Sequence, residues 1–417
     1  MTGARLGLII VIFAGATVAW MILGGSVRVR TEEAGSRLRD EVAALWGEQL
    51  TQTSPTLSIT GEFTEKERED KKEPFQPVTL APDSTDIQAD VDLDLRRKGL
   101  LWYRTYKVTF DASYTVANPL ERDGKLTTKL FLPTRQANYD DFHFSVNGLE
   151  AAPSADEPPE ARSTVKLTPG EEATIKVHYE ARGMDTWRYS FGSGSLGVKN
   201  FKMVVRTDFD RIDFPPRSLS PDTKGELDGG WELTWESKHL ISGLPMGVEM
   251  PEKLNPGPWA ARLSFFAPVG LLFYIFVLVI VGVVRDENLH PMHYFLVAGG
   301  FFAFHLLLSY TVDHIDVHAA FALCSVVSVL LVVPYLMRVM SAGFALKIAA
   351  PAQLAFLVLF SWAFYFPGYT GLSITVASIV TLALIMHLTA KVDWEQKFKS
   401  VVPPPKPPPP TGTPGSA

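Results

Sequence analysis

The 417-residue chain is 47% apolar with a formal net charge of −6, and its apolar residues are concentrated in residues 6–23 and 263–388 while most charges fall in residues 28–253. Such segregation excludes a wholly soluble protein, and an acidic balance without a clustered cationic face excludes a general nucleic-acid binder. The single cysteine, Cys324, lies in an apolar run, so one chain can build neither a disulfide nor a cysteine-based zinc site, and a small buried thiol is expected.

Residues 6–23 form the first stretch long enough to cross a bilayer, where about 20 apolar residues are needed because every backbone donor must be satisfied within the segment. Arg5 and the small residues Gly24, Gly25 and Ser26 also fit a cleavable signal peptide, but Trp20 and Met21 near its end favour an uncleaved anchor. Residues 31–49 then carry Ala34, Leu38, Val42, Leu45 and Trp46 at spacings of three and four, which predicts a helix with one apolar face. That face packs on its own domain or, alternatively, on a partner.

Beyond Ser54 the period changes to two. Tyr106, Val108, Phe110, Ala112, Tyr114 and Val116 alternate with polar residues, as do Ala173, Ile175, Val177, Tyr179 and Ala181, and Trp231, Leu233 and Trp235. One face of each strand therefore meets a core and the other meets water. Shorter strands are expected at 129–132, 142–146, 164–167 and 201–206, with turns at Asp123-Gly124, Asn147-Gly148, Pro169-Gly170 and Gly229-Gly230. Gly192-Ser193-Gly194-Ser195 reads as a flexible turn, and the nine consecutive charged residues 65–73 as a solvated hairpin loop. Many half-buried strands with little helix predict an antiparallel β-sandwich.

Five further spans follow at 263–284, 294–312, 317–337, 348–364 and 372–390. Lys and Arg in short loops stay on the cytoplasmic side. Arg285, Arg338, Lys347, Lys391, Lys397, Lys399 and Lys406 all fall on one side, whereas the loops around Asp313 and Gly368 hold neither residue. With Arg5 also inside, both termini are expected in the cytoplasm and residues 27–260 in the periplasm. The expected organisation is an anchor at 1–26, a stalk helix at 27–53, a β-rich domain at 54–260, a five-span bundle at 261–392 and a Pro-rich tail at 393–417. Seven prolines between 403 and 410 keep that tail extended. The fold class is thus an α-helical membrane bundle of six transmembrane helices, with the β-sandwich inserted between helix 1 and helix 2.

Several motifs carry a resemblance. A helix ends in Leu45-Trp46-Gly47, and Arg96-Arg97-Lys98-Gly99-Leu100 leads into the long central strand. Leu289-His290-Pro291-Met292-His293-Tyr294 opens the third span, which runs through Leu306-Leu307-Leu308-Ser309 to Val312-Asp313-His314, and the last span ends in Leu388-Thr389-Ala390-Lys391-Val392-Asp393-Trp394. With one anchor, a β-rich outer domain and five C-terminal spans, the chain resembles the CreD family of inner membrane proteins, also described as cell-envelope integrity proteins. His290, Pro291, Met292, Tyr294, Asp393 and Trp394 are the motif positions, His293 replaces the family's amide, and the family's Trp-Pro-His-Pro-Ser-Phe-like stretch is represented only by residues 209–216. The resemblance implies envelope maintenance and supplies no catalytic activity. Bottom-up, His290 and His293 read as helix-start packing, and Asp393-Trp394 as an interfacial anchor with Trp394 at headgroup depth.

Asp313, His314, Asp316 and His318 form the densest cluster of potential ligands. They could hold a divalent ion, serve a proton or ion pathway, or simply end two helices, which is the favoured reading. His305 and His387 lie inside spans, where ionisable residues tend to face a bundle interior. They could form a relay with Asp313, or bond across helices as neutral imidazoles. No Walker loop, nucleophile elbow, zincin helix or Rossmann fingerprint occurs, so no cofactor is expected. The first functional expectation is a non-enzymatic protein that senses or binds an envelope protein or glycan through its periplasmic domain. An ion-coupled transporter or channel, and a membrane-bound metal-dependent enzyme, stand as alternatives. Lipid is an expected partner and nucleic acid is not; the apolar pattern leaves oligomeric state open, since lipid-facing and helix-facing residues look alike.

Overall fold

The computed structural model describes residues 3–63, 75–134, 137–154, 159–192, 197–285, 289–366, 368–390 and 392. The charged run 65–73, Ser193 to Ser195, Lys391, Asp393, Trp394 and the tail lie outside the described residues. The chain divides into two compact units, Met1–Glu33 with Asn255–Ala417, and Ala34–Leu254.

Helix α1 runs unbroken over Gly3–Trp46, so the anchor and the amphipathic stretch are one element. It stops three residues before the expected end, where Gly47 adopts a φ of 96° and its N–H bonds to the Ala43 carbonyl at 2.8 Å. A left-handed glycine just past the last turn satisfies carbonyls that the helix leaves open. In the second unit Leu38, Val42, Ala43 and Trp46 of α1 pack on Leu101, Tyr103 and Met184. The helix face therefore rests on its own unit, although Leu45, expected on that face, is 63% exposed.

Seventeen strands follow among the described residues: β1 (Leu50–Thr53), β2 (Thr56–Gly61), β3 (Val78–Leu80), β4 (Ser84–Leu93), β5 (Arg96–Lys98), β6 (Leu101–Tyr103), β7 (Thr105–Ala117), β8 (Gly124–Phe131), β9 (Tyr139–Val146), β10 (Leu149–Glu150), β11 (Glu160–Leu167), β12 (Glu172–Met184), β13 (Thr186–Ser190), β14 (Val198–Thr207), β15 (Thr223–Leu227), β16 (Gly230–Leu240) and β17 (Met246–Glu249). They build an eight-stranded sheet in the order β10-β9-β12-β7-β4-β14-β16-β15, a four-stranded sheet β11-β8-β2-β3, a three-stranded sheet β1-β13-β17 and the pair β5-β6. Most pairings are antiparallel, as the short turns require. The β14–β4 and β1–β13 pairs are parallel, which corrects the expectation of a purely antiparallel arrangement: their partners are far apart in sequence and no hairpin fixes their direction. Asn147 and Gly148, at φ 52° and 78°, make the two-residue turn that pairs Val146 with Leu149.

Inward side chains of the eight-, four- and three-stranded sheets share one apolar core, including Leu57 and Leu126 beside Val91, Phe110 and Trp187. Each fully buried side chain of this size contributes about 1.5–3 kcal/mol by leaving water. The core also holds polar groups with partners. The Tyr179 hydroxyl donates to Gln52 Oε1 at 2.9 Å, Gln52 Nε2 donates to the Phe131 carbonyl at 3.2 Å, and the Tyr106 hydroxyl donates to the Thr186 carbonyl at 2.8 Å. Burial pushes the Tyr189 phenol up to about 12.

The first unit contains α2 (Pro256–Val284), α3 (Pro291–Thr311), α4 (Val317–Val339), α5 (Ala342–Tyr365) and α6 (Thr370–Thr389), besides the first part of α1. Six helices among the described residues are long and apolar enough to cross a membrane. The weakest sequence candidate, α5, is helical throughout but contains π-turns at Ala345–Ala349 and Leu354–Leu359, features that occur as local bulges and often at functional positions. Gly270 of α2 lies against the backbone of Phe356, where an added Cβ would collide with its carbonyl.

Candidate functional site

The turn between α3 and α4 brings the Asp313–His318 residues near one another in sequence but sends their side chains to separate tasks. Arg30 of α1 pairs with Asp313 at 2.9 Å, donates to the Ser309 carbonyl at 3.1 Å and lies over the Tyr310 ring at 5.4 Å. Asp316 caps α4, its Oδ1 accepting from the His318 and Ala319 amides at 2.9 and 3.2 Å. The Ala319 and His318 amides hold the Asp316 carboxyl below its ordinary range, as hydrogen bonds to the charged form do. The His318 ring stacks on Tyr365 at 4.9 Å, and Tyr365 donates its hydroxyl to the Val317 carbonyl at 3.2 Å. His314 is exposed. Among the described residues no three His, Cys, Asp or Glu side chains are grouped to hold a metal.

The intramembrane histidines do not meet. His305 is buried and donates Nδ1–H to the Phe301 carbonyl one turn back at 3.0 Å, with Trp20 edge-on at 5.6 Å. His387 is exposed on α6. At the start of α3, His290 Nδ1 accepts the Met292 amide at 3.2 Å and Pro291 occupies the first turn, where its missing N–H costs nothing. His293 Nδ1 meets the Tyr335 hydroxyl of α4 at 2.5 Å. Tyr294 is buried and Met292 exposed.

Two groupings were missed by sequence reasoning. In the bundle, Gln353 of α5 is wholly buried and donates Nε2–H to Ser328 Oγ at 3.1 Å, while Ser328 donates to the Gly300 carbonyl at 3.0 Å. Gln353 Oε1 has no partner among the described residues. Gln353 lies between the two π-turns of α5, so polarity and backbone irregularity coincide.

The second grouping is on the β-rich unit. Register sets His178 of β12 opposite Asp111 of β7 on one side and His143 of β9 on the other. All three alternate with core residues, so they share the outward face. A bulge then interrupts the β9–β12 pairing, and there Asp141 adopts a φ of 49°. Bulges re-aim side chains: Asp141 Oδ1 lies 3.0 Å from His143 Nε2 and its Oδ2 3.4 Å from His178 Nε2, while His178 Nδ1 meets Asp111 Oδ1 at 2.7 Å. Asp111, His143 and His178 line a polar cleft of about 380 Å³ together with Lys176, Glu150, Gln88 and Ser145, and Asp141 touches it through the two imidazoles. Donors and acceptors stand side by side there, an arrangement suited to hydroxyl or peptide groups. The legible signal was period-two alternation, which placed Asp111 and His178 outward; which strands would be neighbours was not legible.

No curated protein matches the chain. Solved structures with some likeness include a protein described as nutrient-binding from Legionella pneumophila, 8% identical with a TM-score of 0.31 over 58% of this chain and 84% of that one. An M1 zinc metallopeptidase from Deinococcus radiodurans is 11% identical with a TM-score of 0.27 over 72% of this chain and 93% of that one. Likeness at that level supports no conclusion about fold or activity. Residues 229–395, which contain α2 to α6 and the His290–Tyr294 motif, match the family described as inner membrane protein CreD. Over that stretch, under half of the chain, the sequence is similar to inner membrane proteins of the CreD family.

Proposed function

We propose that this is a non-enzymatic, multi-pass inner membrane protein that contributes to cell-envelope integrity or stress response by binding or sensing an envelope component through its β-rich unit. In this reading the β sheets form a sandwich, both termini are cytoplasmic and residues 27–260 are periplasmic. Arg285, Arg338 and Lys347 at one set of helix ends, against loops around Asp313 and Gly368 without Lys or Arg, support that orientation.

The observation that carries the binding reading is the outward cleft lined by Asp111, His143 and His178, whose two imidazoles Asp141 contacts. Charged side chains scattered over a sheet need no partner, but here a bulge brings carboxylates and imidazoles from three strands together. A glycan or peptide of the envelope fits such a lining through hydroxyl or amide groups. The transporter alternative relied on His305, His387 and the Asp313 cluster as one pathway, but His305, Asp313, Asp316 and His318 have separate partners and His387 is exposed.

Photo-crosslinking residues placed at Gln88 and Ser145 in intact cells test this, with Glu226 on β15 as control. A reproducible protein or glycan adduct at the cleft positions, and not at the control, is expected. Equal or empty capture at all positions, with the protein folded and inserted, refutes the cleft as the binding site.

A further inference from the structure

We propose that the bundle holds an anionic phospholipid in a groove between α2, α5 and α6, with its phosphate at Arg285 and Lys347. The groove has a volume of about 980 Å³, at the upper end of the roughly 300–1,000 Å³ usual for ligand sites. Its walls are apolar, including Val281 of α2, Ala355 and Leu359 of α5, and Val376 and Val380 of α6.

Its origin is in the sequence. Gly270 lets α2 approach the α5 backbone at Phe356, while α6 meets α5 chiefly through Phe360–Tyr365. The two helices therefore part toward the Lys347 end, and the π-turns of α5 lie along the gap. Leu359, Val376 and Val380 are 66%, 51% and 59% exposed, which is costly beside water but not beside acyl chains.

The chemistry of the occupant follows from the two ends. Arg285 closes α2 and Lys347 lies in the first turns of α5, so both cations stand at one mouth of the groove. Both are exposed, and neither has an ion pair among the described residues. From Lys347 to Phe366 at the other end, the helical rise gives roughly 28 Å, close to the roughly 30 Å of bilayer hydrocarbon. A tail seated here runs along the membrane normal with its headgroup at the cations. Basic pockets between spans recognise anionic headgroups in this manner; a zwitterionic lipid gains much less from them. None of this depends on the β-rich unit or on its ligand.

Native mass spectrometry of the full chain, delipidated in detergent and titrated with phosphatidylglycerol or phosphatidylcholine, tests the site. The wild type should prefer phosphatidylglycerol. At about fivefold per cation, the double variant R285Q/K347Q should lose about twenty-five-fold in phosphatidylglycerol affinity with phosphatidylcholine unchanged. A377W, which fills the groove, should weaken both, and inorganic phosphate should not compete. Because both cations are exposed, R285Q/K347Q should keep the wild-type unfolding midpoint and so remain interpretable. Equal binding of the two lipids by the wild type, or unchanged selectivity in R285Q/K347Q, overturns the proposal; competition by inorganic phosphate shows a free-anion site instead. Capture at the β-rich unit's cleft is a separate readout, so failure of either leaves the other standing.

Discussion

Gln353 and Ser328 give a test in which two substitutions of similar size should act in opposite directions. The Gln353 carboxamide is wholly buried, donates to Ser328 Oγ at 3.1 Å and leaves Oε1 without a partner. Gln353→Leu removes one cross-helix hydrogen bond, worth about 0.6–2 kcal/mol between membrane helices, together with an unpaired acceptor that costs about 1–3 kcal/mol. Ser328 keeps its bond to the Gly300 carbonyl, so no new orphan is left. The net change should be neutral or stabilising within about 1 kcal/mol. Ser328→Ala instead strands the whole carboxamide and should cost about 1–2 kcal/mol. In the double variant that penalty should vanish, giving a coupling of about 1–2 kcal/mol in a mutant cycle. Unfolding by sodium dodecyl sulfate titration of the purified protein in micelles, followed by circular dichroism, measures all four species. Should Gln353→Leu cost more than Ser328→Ala, Oε1 has a partner of its own, and the reasoning from an orphan acceptor fails. The two π-turns would then flank an occupied polar site within the membrane.

The Arg30–Asp313 pair is partly exposed on the arginine side, so Arg30→Gln should cost only about 1 kcal/mol after solvent screening; a charge-swapped R30D/D313R chain that recovers the midpoint in the same titration confirms the pairing, and one that does not refutes it. Gln52→Leu removes the acceptor of the buried Tyr179 hydroxyl and should destabilise by about 1–3 kcal/mol, with part recovered when Tyr179→Phe is added; no recovery in thermal melts would show that packing is responsible. Asp316 has its folded pKa lowered by backbone amides, so its cap stabilises α4 above the unfolded value near 3.9 and that contribution is lost as pH falls through the lowered folded value. Asp316→Asn should weaken the dependence of the melting midpoint on pH in that acid window, and an unchanged dependence would assign it to other carboxylates.

Helical spans were legible because apolar length and the absence of charge are local properties. The helix expected at residues 31–49 is present to Trp46, but its unbroken join to the first span was not legible, because charge from Arg28 onward ends the apolar run without ending the helix. Strand β7 was read within a residue of its ends, since alternation from Tyr106 to Val116 is carried by the chain itself. β4 was overlooked although Ile87, Ala89, Val91 and Leu93 alternate with Asp86, Gln88, Asp90 and Asp92; its signal was present. The parallel pairing of β4 with β14 was not legible, because partner choice across more than a hundred residues depends on the assembled core. The Asp313–His318 residues were visible as a cluster in sequence, but their separate engagement with Arg30, the α4 amides and Tyr365 depends on neighbours from other helices. Conversely, the cleft residues looked like ordinary solvated positions until register made neighbours of β7, β12 and β9.

That cleft also allows stability to be separated from binding. Asp141 holds a left-handed backbone at φ 49°, which costs an L residue about 1–2 kcal/mol, less for Asp than for most. What it gains is a pair of contacts at 3.0 and 3.4 Å to exposed or half-exposed imidazoles, and such surface contacts are worth about 0–1 kcal/mol. The two nearly cancel, so stability alone gives little reason for an aspartate at the bulge. Glycine would relieve the strain and keep the bulge. Asp141→Gly should therefore leave the melting midpoint unchanged or slightly raised while reducing capture at Gln88 and Ser145 in intact cells. A loss of more than about 2 kcal/mol, far beyond what surface contacts supply, would make Asp141 a structural residue and the cleft an incidental product of the bulge. Full capture by a stable Asp141→Gly chain would show that the ligand reads other side chains of the sheet.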